Sequence, residues 1–107
     1  MENTNLTPAL NTEGTGFKNY YLYCSVNDLY DKLGNPHKVG YYLDKKTQVE
    51  WAFELGNNRI ITIYDYKEDK SIYEIKEWHI GGKNITSEDI EEFLRGVDLI
   101  SCAQKVK

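Results

Sequence analysis

The chain has 107 residues, 28% charged and 13% aromatic, with a formal net charge of −4 and a pI near 5.1. That length allows one domain with one modest core, and the acidic balance argues against a dedicated binder of duplex nucleic acid, which needs a basic face to displace counterions. Cys24 and Cys102 form no CxxC or Cys/His cluster, so neither a zinc site nor a disulfide framework is indicated, and no apolar run reaches the roughly 20 residues of a membrane span.

Residues 1–16 are rich in Asn, Thr and Gly, and are expected to form a flexible N-terminal tail or a loosely docked arm before a single domain over 17–107. They lack the basic-then-apolar order of a signal peptide, which points to a cytoplasmic protein. From Phe17 to Val26 the sequence alternates with period two: Tyr20, Leu22, Cys24 and Val26 oppose Tyr21, Tyr23 and Ser25. This predicts a strand with aromatics on both faces. Ser25 or Asn27 is placed to cap a short helix through Asp28 and Leu33, which Gly34 and Asn35-Pro36 end.

His37 to Thr47 has mixed character, with Tyr41-Tyr42 and a basic pair at Lys45-Lys46, and reads as a loop or edge segment. The clearest strand follows: Val49, Trp51, Phe53 and Leu55 point one way, Glu50, Ala52 and Glu54 the other. Gly56-Asn57-Asn58 tolerates left-handed backbone, so Arg59 to Tyr66 should return as the second arm of an antiparallel hairpin, with Ile61 and Ile63 inward. Lys67-Glu68-Asp69-Lys70 reads as a solvated turn, and Ser71 to Ile80 as a third run. There Ile75 and Trp78 fall on opposite faces, a conflict that a bulge near Glu77 would resolve. Gly81-Gly82 then marks a junction between this strand and a helix. The helix begins near Ser87, capped by Thr86, with Ile90, Phe93, Leu94 and Val97 at helical spacing. Gly96 is placed to interrupt it, and the C-terminus to fray. The expected architecture is α+β: a small antiparallel sheet of about four strands covered by one or two helices, in the order β-α-β-β-β-α.

The composition is Tyr-rich, with nine tyrosines. Tyr suits recognition surfaces and strands equally well. His79 lies between Trp78 and the glycines, where it could contact a phosphate or a base, or instead satisfy a backbone carbonyl. No GxSxG elbow is present, and Gly-Gly-Lys lacks the GxxxxGK[ST] spacing of a P-loop. Asp65, Glu74 and Glu77 sit in separate contexts without a metal-binding motif, so neither a metal nor a cofactor is expected. The constellation suits binding better than chemistry. Tyr64, Tyr66 and Trp78 offer flat faces for a base, Gly81, Gly82 and Lys83 amides and a cation for phosphates, and Arg59 a further anion partner.

The series Trp51-x-Phe53-x-Leu55, Thr62-Ile63-Tyr64-Asp65-Tyr66-Lys67 and Trp78-His79-Ile80-Gly81-Gly82 resembles a group of small bacteriophage and prophage proteins, over roughly 49–94. The resemblance implies a non-enzymatic antagonist of bacterial defence in the cytoplasm of an infected host. One expectation is a homo-oligomer that binds and sequesters a nucleotide-derived defence signal. The other is an inhibitor directed at a host defence protein, such as a CRISPR effector or a nuclease.

Overall fold

The structure, a computed structural model, describes residues 6–9, 11–39, 47–67 and 70–106. Tyr41, Tyr42, Lys45 and Lys46 of the expected loop, and Glu68 and Asp69 of the expected turn, lie outside the described residues. The elements run β1 (Gly16–Tyr23), α1 (Val26–Leu33), β2 (Lys38–Val39), β3 (Val49–Gly56), β4 (Arg59–Tyr64), a 3-10 turn (Ile72–Glu74), β5 (Glu77–Lys83), α2 (Ser87–Gly96), a second 3-10 turn (Ile100–Cys102) and β6 (Ala103–Lys105). Among the described residues the strands form one six-stranded antiparallel sheet in the order β2-β3-β4-β5-β1-β6.

The α+β class therefore holds, but about four strands and a β-α-β-β-β-α order do not. The two additional strands are short edge strands, β2 and β6, of two and three residues. Segments this brief carry no readable period, and they form because the outer edges of β3 and β1 present unpaired backbone groups. The C-terminal segment expected to fray instead pairs with Tyr20 to Leu22. Within the segment expected to be a tail or a docked arm, Pro8 bridges to Phe53, Ala9 N–H donates to the Ala52 carbonyl at 3.0 Å, and Glu54 N–H donates to the Thr7 carbonyl at 2.8 Å.

Alternation decides which side chains are buried. Trp51 and Phe53 of β3, Ile61 and Ile63 of β4, Trp78 and Ile80 of β5, and Tyr20 and Leu22 of β1 meet across the ladders and share the covered face. Fully burying a large apolar side chain contributes about 1.5–3 kcal/mol, so this layer is the main stabilising element. The helices close it. Ser25 and Asp28 form a capping box on α1, Thr86 and Asp89 one on α2, and Leu29, Leu33, Ile90, Phe93 and Leu94 are buried against the sheet. Trp51 and Trp78 cross edge-on at 6.1 Å, and each indole N–H finds a carbonyl, Gly34 O and Cys24 O respectively, both at 2.9 Å.

The segment before β5 departs from expectation in a way that removes the pattern conflict. Ser71 caps a 3-10 turn over 72–74, so Ile75 precedes the strand and both Ile75 and Trp78 are buried without a bulge at Glu77. The register shifts occur elsewhere, between Phe17 and Tyr20 and between Glu54 and Gly56. Gly81 and Gly82 form no junction. They lie within β5, where Gly81 pairs with Thr62 and Phe17, and Gly82 with Ile61 and Gly16. The turn to α2 comes later, at Asn84, whose φ is 61°.

Gly82 is required by close packing. A Cβ there would meet the Ile85 side chain and stand 2.5 Å from the Ile60 carbonyl oxygen. Because backbone cannot yield as a side-chain tip can, Gly82→Ala should lose about 1–3 kcal/mol in urea unfolding, and trimming Ile85 to Ala should recover only part of it.

His37 supplies a second prediction. Its Nδ1 accepts from the Ala52 amide at 2.8 Å, its ring lies edge-on to Phe53 at 5.0 Å, and its backbone N–H donates to the Glu50 carbonyl at 2.8 Å. Partial burial lowers its pKa from the usual histidine value of 6.5. A histidine with a lowered folded pKa stabilises the fold above the unfolded value and loses that contribution as pH falls below about 6.5. Amide exchange at Ala52 should therefore accelerate between about pH 7 and 5 relative to its intrinsic rate, and His37→Asn, which keeps an acceptor without the titration, should flatten the change.

Candidate functional site

The same alternation that buries Trp78 turns His79 to the opposite face of the sheet, which carries no helix among the described residues. His79 faces Tyr64 on β4 and Tyr21 on β1 across the two ladders. Four aromatic rings surround its imidazole: Tyr64 stacks on it at 5.6 Å and 24°, Tyr21 meets it edge-on at 5.0 Å, Phe17 lies at 5.3 Å, and Tyr66 at 5.5 Å. Tyr23 extends the row beside Tyr21 and donates to Glu77 Oε2 at 3.1 Å. Phe17, Tyr23 and Tyr66 remain 39%, 45% and 38% exposed. Rings at these separations lie in the range of favourable aromatic pairing, so they form a continuous platform.

The N-terminal arm bounds one side of the platform. After its contacts on the β3 edge it must cross β4 and β5 to enter β1. Lys38 Nζ donates to Thr12 Oγ1 at 3.0 Å, and Lys83 Nζ to the Glu13 carbonyl at 3.1 Å along this path. The crossing is tight over Gly81, where a Cβ would stand 2.8 Å from Thr62 Oγ1, 3.0 Å from Gly16 O and 3.1 Å from Tyr64 Cε1. Between arm and rings lies a shallow cleft of about 230 Å³ lined by Thr15, Gly16, Lys38, Thr47, Glu50, Thr62, Tyr64 and Tyr66. Lys38 also lies 3.7 Å from Glu50, and Lys67 Nζ stands 5.4 Å above the Tyr66 ring.

The residues singled out from the sequence thus divide. His79, Tyr64 and Tyr66 converge on the open face, with Gly81 beneath the arm. Trp78 is fully buried in the core, and Gly82 is packed under Ile85, so neither contributes surface. The backbones of both glycines lie between neighbouring strands rather than in a junction that presents amides to an anion. Lys83 is engaged by the arm. Arg59 sits at the hairpin end, where it pairs with Asp89 at 3.0 Å and donates to Leu55 O and Gly56 O. Asp89 is held below the usual carboxylate range mainly by the Thr86 backbone N–H, with the Arg59 charge adding.

Phe17, Tyr21 and Tyr23 escaped the sequence reading of the site, although the period-two run did place Tyr21 and Tyr23 on one face. The signal was there in the parity. The irregularity after Phe17 leaves Lys18 and Asn19 without partners on β5, and Asn19 takes a φ of 66°. Because the shift takes up an even number of residues, Phe17 stays on the face of Tyr21.

Reactive groups elsewhere are muted. Burial pushes the Cys24 thiol up to about 12, with Cys102 adding to the shift, so it is protonated at neutral pH. Among the described residues no three His, Cys, Asp or Glu side chains gather in a metal-binding group, and no helix is long and apolar enough to cross a membrane. The geometry defines an exposed aromatic sheet face with adjacent cations and a carboxylate, suited to stacking and hydrogen bonding. No protein-family model matches the chain, and comparisons with curated proteins and with solved structures likewise give no match.

Burial pushes the Tyr64 hydroxyl up to about 12, and neighbouring Glu50 contributes. An acid with a raised folded pKa stabilises the fold while it stays protonated, and that contribution is lost as pH rises from the ordinary tyrosine value of 10.0 towards 12. Tyr64→Phe should therefore lose less stability than the parent between about pH 9 and 11, measured by urea unfolding at each pH. Cys24 titrates in both proteins, so the difference isolates Tyr64.

Proposed function

We propose that the chain is a non-catalytic binding protein whose open aromatic face holds a planar, nucleotide-like ligand. In the setting implied by the phage resemblance, it sequesters a nucleotide-derived signal of bacterial defence in the cytoplasm of the infected host. The observation that carries this reading is the cluster of four rings around His79 on the sheet face that no helix covers among the described residues. Nucleobases stack on such rings with little sequence preference, each contact contributing about 1–3 kcal/mol. In this reading Tyr66, Tyr21 and Phe17 meet the base, His79 and Tyr64 order the platform, and Lys38 and Lys67 meet phosphate. Gly81 admits the arm that walls the site. Trp78, Gly82 and Arg59 leave the ligand set proposed from sequence, and Lys83 serves it through the arm. The cleft alone is shallow for a nucleotide, so a second copy of the chain facing the platform would complete the enclosure and make the active form a homo-oligomer.

The same face supports a second reading, an inhibitor that docks on a host defence protein. The exposure of Phe17, Tyr23 and Tyr66 favours it, because Tyr-rich patches with few rotatable bonds bind proteins at low entropic cost.

Purified protein incubated with cyclic dinucleotides and ADP-ribose-type signals should deplete free ligand and release it unaltered on heating. Tyr66→Ala should weaken uptake by roughly tenfold or more, in line with loss of one stacked ring, while Arg59→Lys should leave it unchanged. Absence of uptake across the panel rejects sequestration, and altered products would identify an enzyme. Salt-resistant capture of one host protein without a retained small molecule would establish the second reading in its place.

A further inference from the structure

A second cleft, larger than the one at the aromatic face, lies away from it and shares no lining residue with it. It occupies about 580 Å³ between α2, the β3–β4 hairpin and the arm at Thr7. Its volume is in the range that encloses a small organic molecule. The lining has two characters. Phe93, Val97 and Leu55 give an apolar floor, and Phe93 is anchored by its ring contact with Phe53 at 5.6 Å. Four charged side chains, Glu54, Glu92, Asp89 and Arg59, supply the polar part.

The charges do not cancel. Arg59 Nη1 and Asp89 Oδ1 neutralise each other at 3.0 Å, while the other guanidinium nitrogens are committed to Gly56 O and Leu55 O. Three of the five guanidinium N–H groups are thereby committed, and the charge of Arg59 is already paired with Asp89. Asp89 is occupied in turn by Thr86 N–H and Arg59. Glu54 and Glu92 have neither an ion pair nor a side-chain hydrogen bond among the described residues. The cleft therefore combines an apolar floor with two unpaired carboxylates and a cation already paired with Asp89.

We propose that this cleft binds an organic cation of small-molecule size, an ammonium or guanidinium on an apolar body. The hydrocarbon part covers Phe93, Val97 and Leu55, and the charged head meets Glu54 and Glu92. Neither part alone suffices. A hydrophilic cation leaves the floor wetted, and an apolar anion meets the two carboxylates with like charge. The site is independent of the aromatic platform, so a defence-signal ligand there and a cation here would bind without competition.

The test is a titration of the full chain, followed by backbone amide shifts, with three probes of graded chemistry: phenethylammonium, methylammonium and 3-phenylpropionate. Phenethylammonium should give saturable shifts confined to residues 54–59 and 89–97, with an affinity at least about tenfold above either of the other probes. Glu54→Gln with Glu92→Gln, both at exposed positions, should weaken it by about tenfold while leaving the remaining spectrum unperturbed. As a second variant, Val97→Thr should weaken phenethylammonium while leaving methylammonium unchanged. Equal binding of the cation and the carboxylate probe, scattered shifts across the surface, or no saturation in the millimolar range would each overturn the assignment.

Discussion

The burial of Trp78 is the constraint on which the rest depends. Its indole fills the centre of the core, crosses Trp51 edge-on, and places its N–H on the carbonyl of Cys24 at the end of β1. A slip by one residue would force a tryptophan into solvent and leave a buried carbonyl without its donor, so the parity of β5 is fixed. Everything on the opposite face inherits that choice. His79 must point outward, and antiparallel pairing then places it between Tyr64 and Tyr21.

This inheritance explains how the platform is assembled on a face that no helix covers among the described residues. Phe17, Tyr21 and Tyr23 project from β1, Tyr64 from β4 and His79 from β5, three adjacent strands, and Tyr66 alone stands just past the end of β4. A site built on such elements loses little conformational entropy when a ligand arrives. The arm contributes differently. It runs across the sheet on contacts from Lys38 and Lys83, two flexible side chains, so it forms the more adjustable wall of the site.

Much of this was legible in the sequence, and the reason is periodicity. The alternation in Val49 to Leu55 and in Arg59 to Tyr66 gave the hairpin, its inward Ile61 and Ile63, and the outward pairing of Tyr64 with Tyr66. The capping residues Ser25 and Thr86 gave the helix starts. What failed was information that no local pattern contains. β2 and β6 exist because neighbouring edges are unpaired, and the docking of Pro8 on Phe53 joins residues 45 positions apart. Gly81-Gly82 misled because two adjacent glycines read as punctuation, when here they are central positions of a strand. Their meaning depended on what lay above and below, and sequence does not report that. Arg59 misled for a related reason: its partner Asp89 lies on another element, so an apparently free cation was already neutralised.

The two glycines then acquire distinct roles from their opposite parities. Gly82 faces the core, where Ile85 packs into the space its missing side chain leaves. Gly81 faces outward, where the missing side chain lets the chain at Gly16 approach Thr62 and Tyr64. One residue thus brings the start of α2 down onto the sheet, and the other brings the arm down onto the aromatic face. Each glycine weakens the intrinsic preference for a strand, by an amount of order 0.5–1 kcal/mol relative to alanine. The pairing of β5 with strands on both sides offsets that cost. That placement joins the closing of the core to the shaping of the open face at consecutive positions.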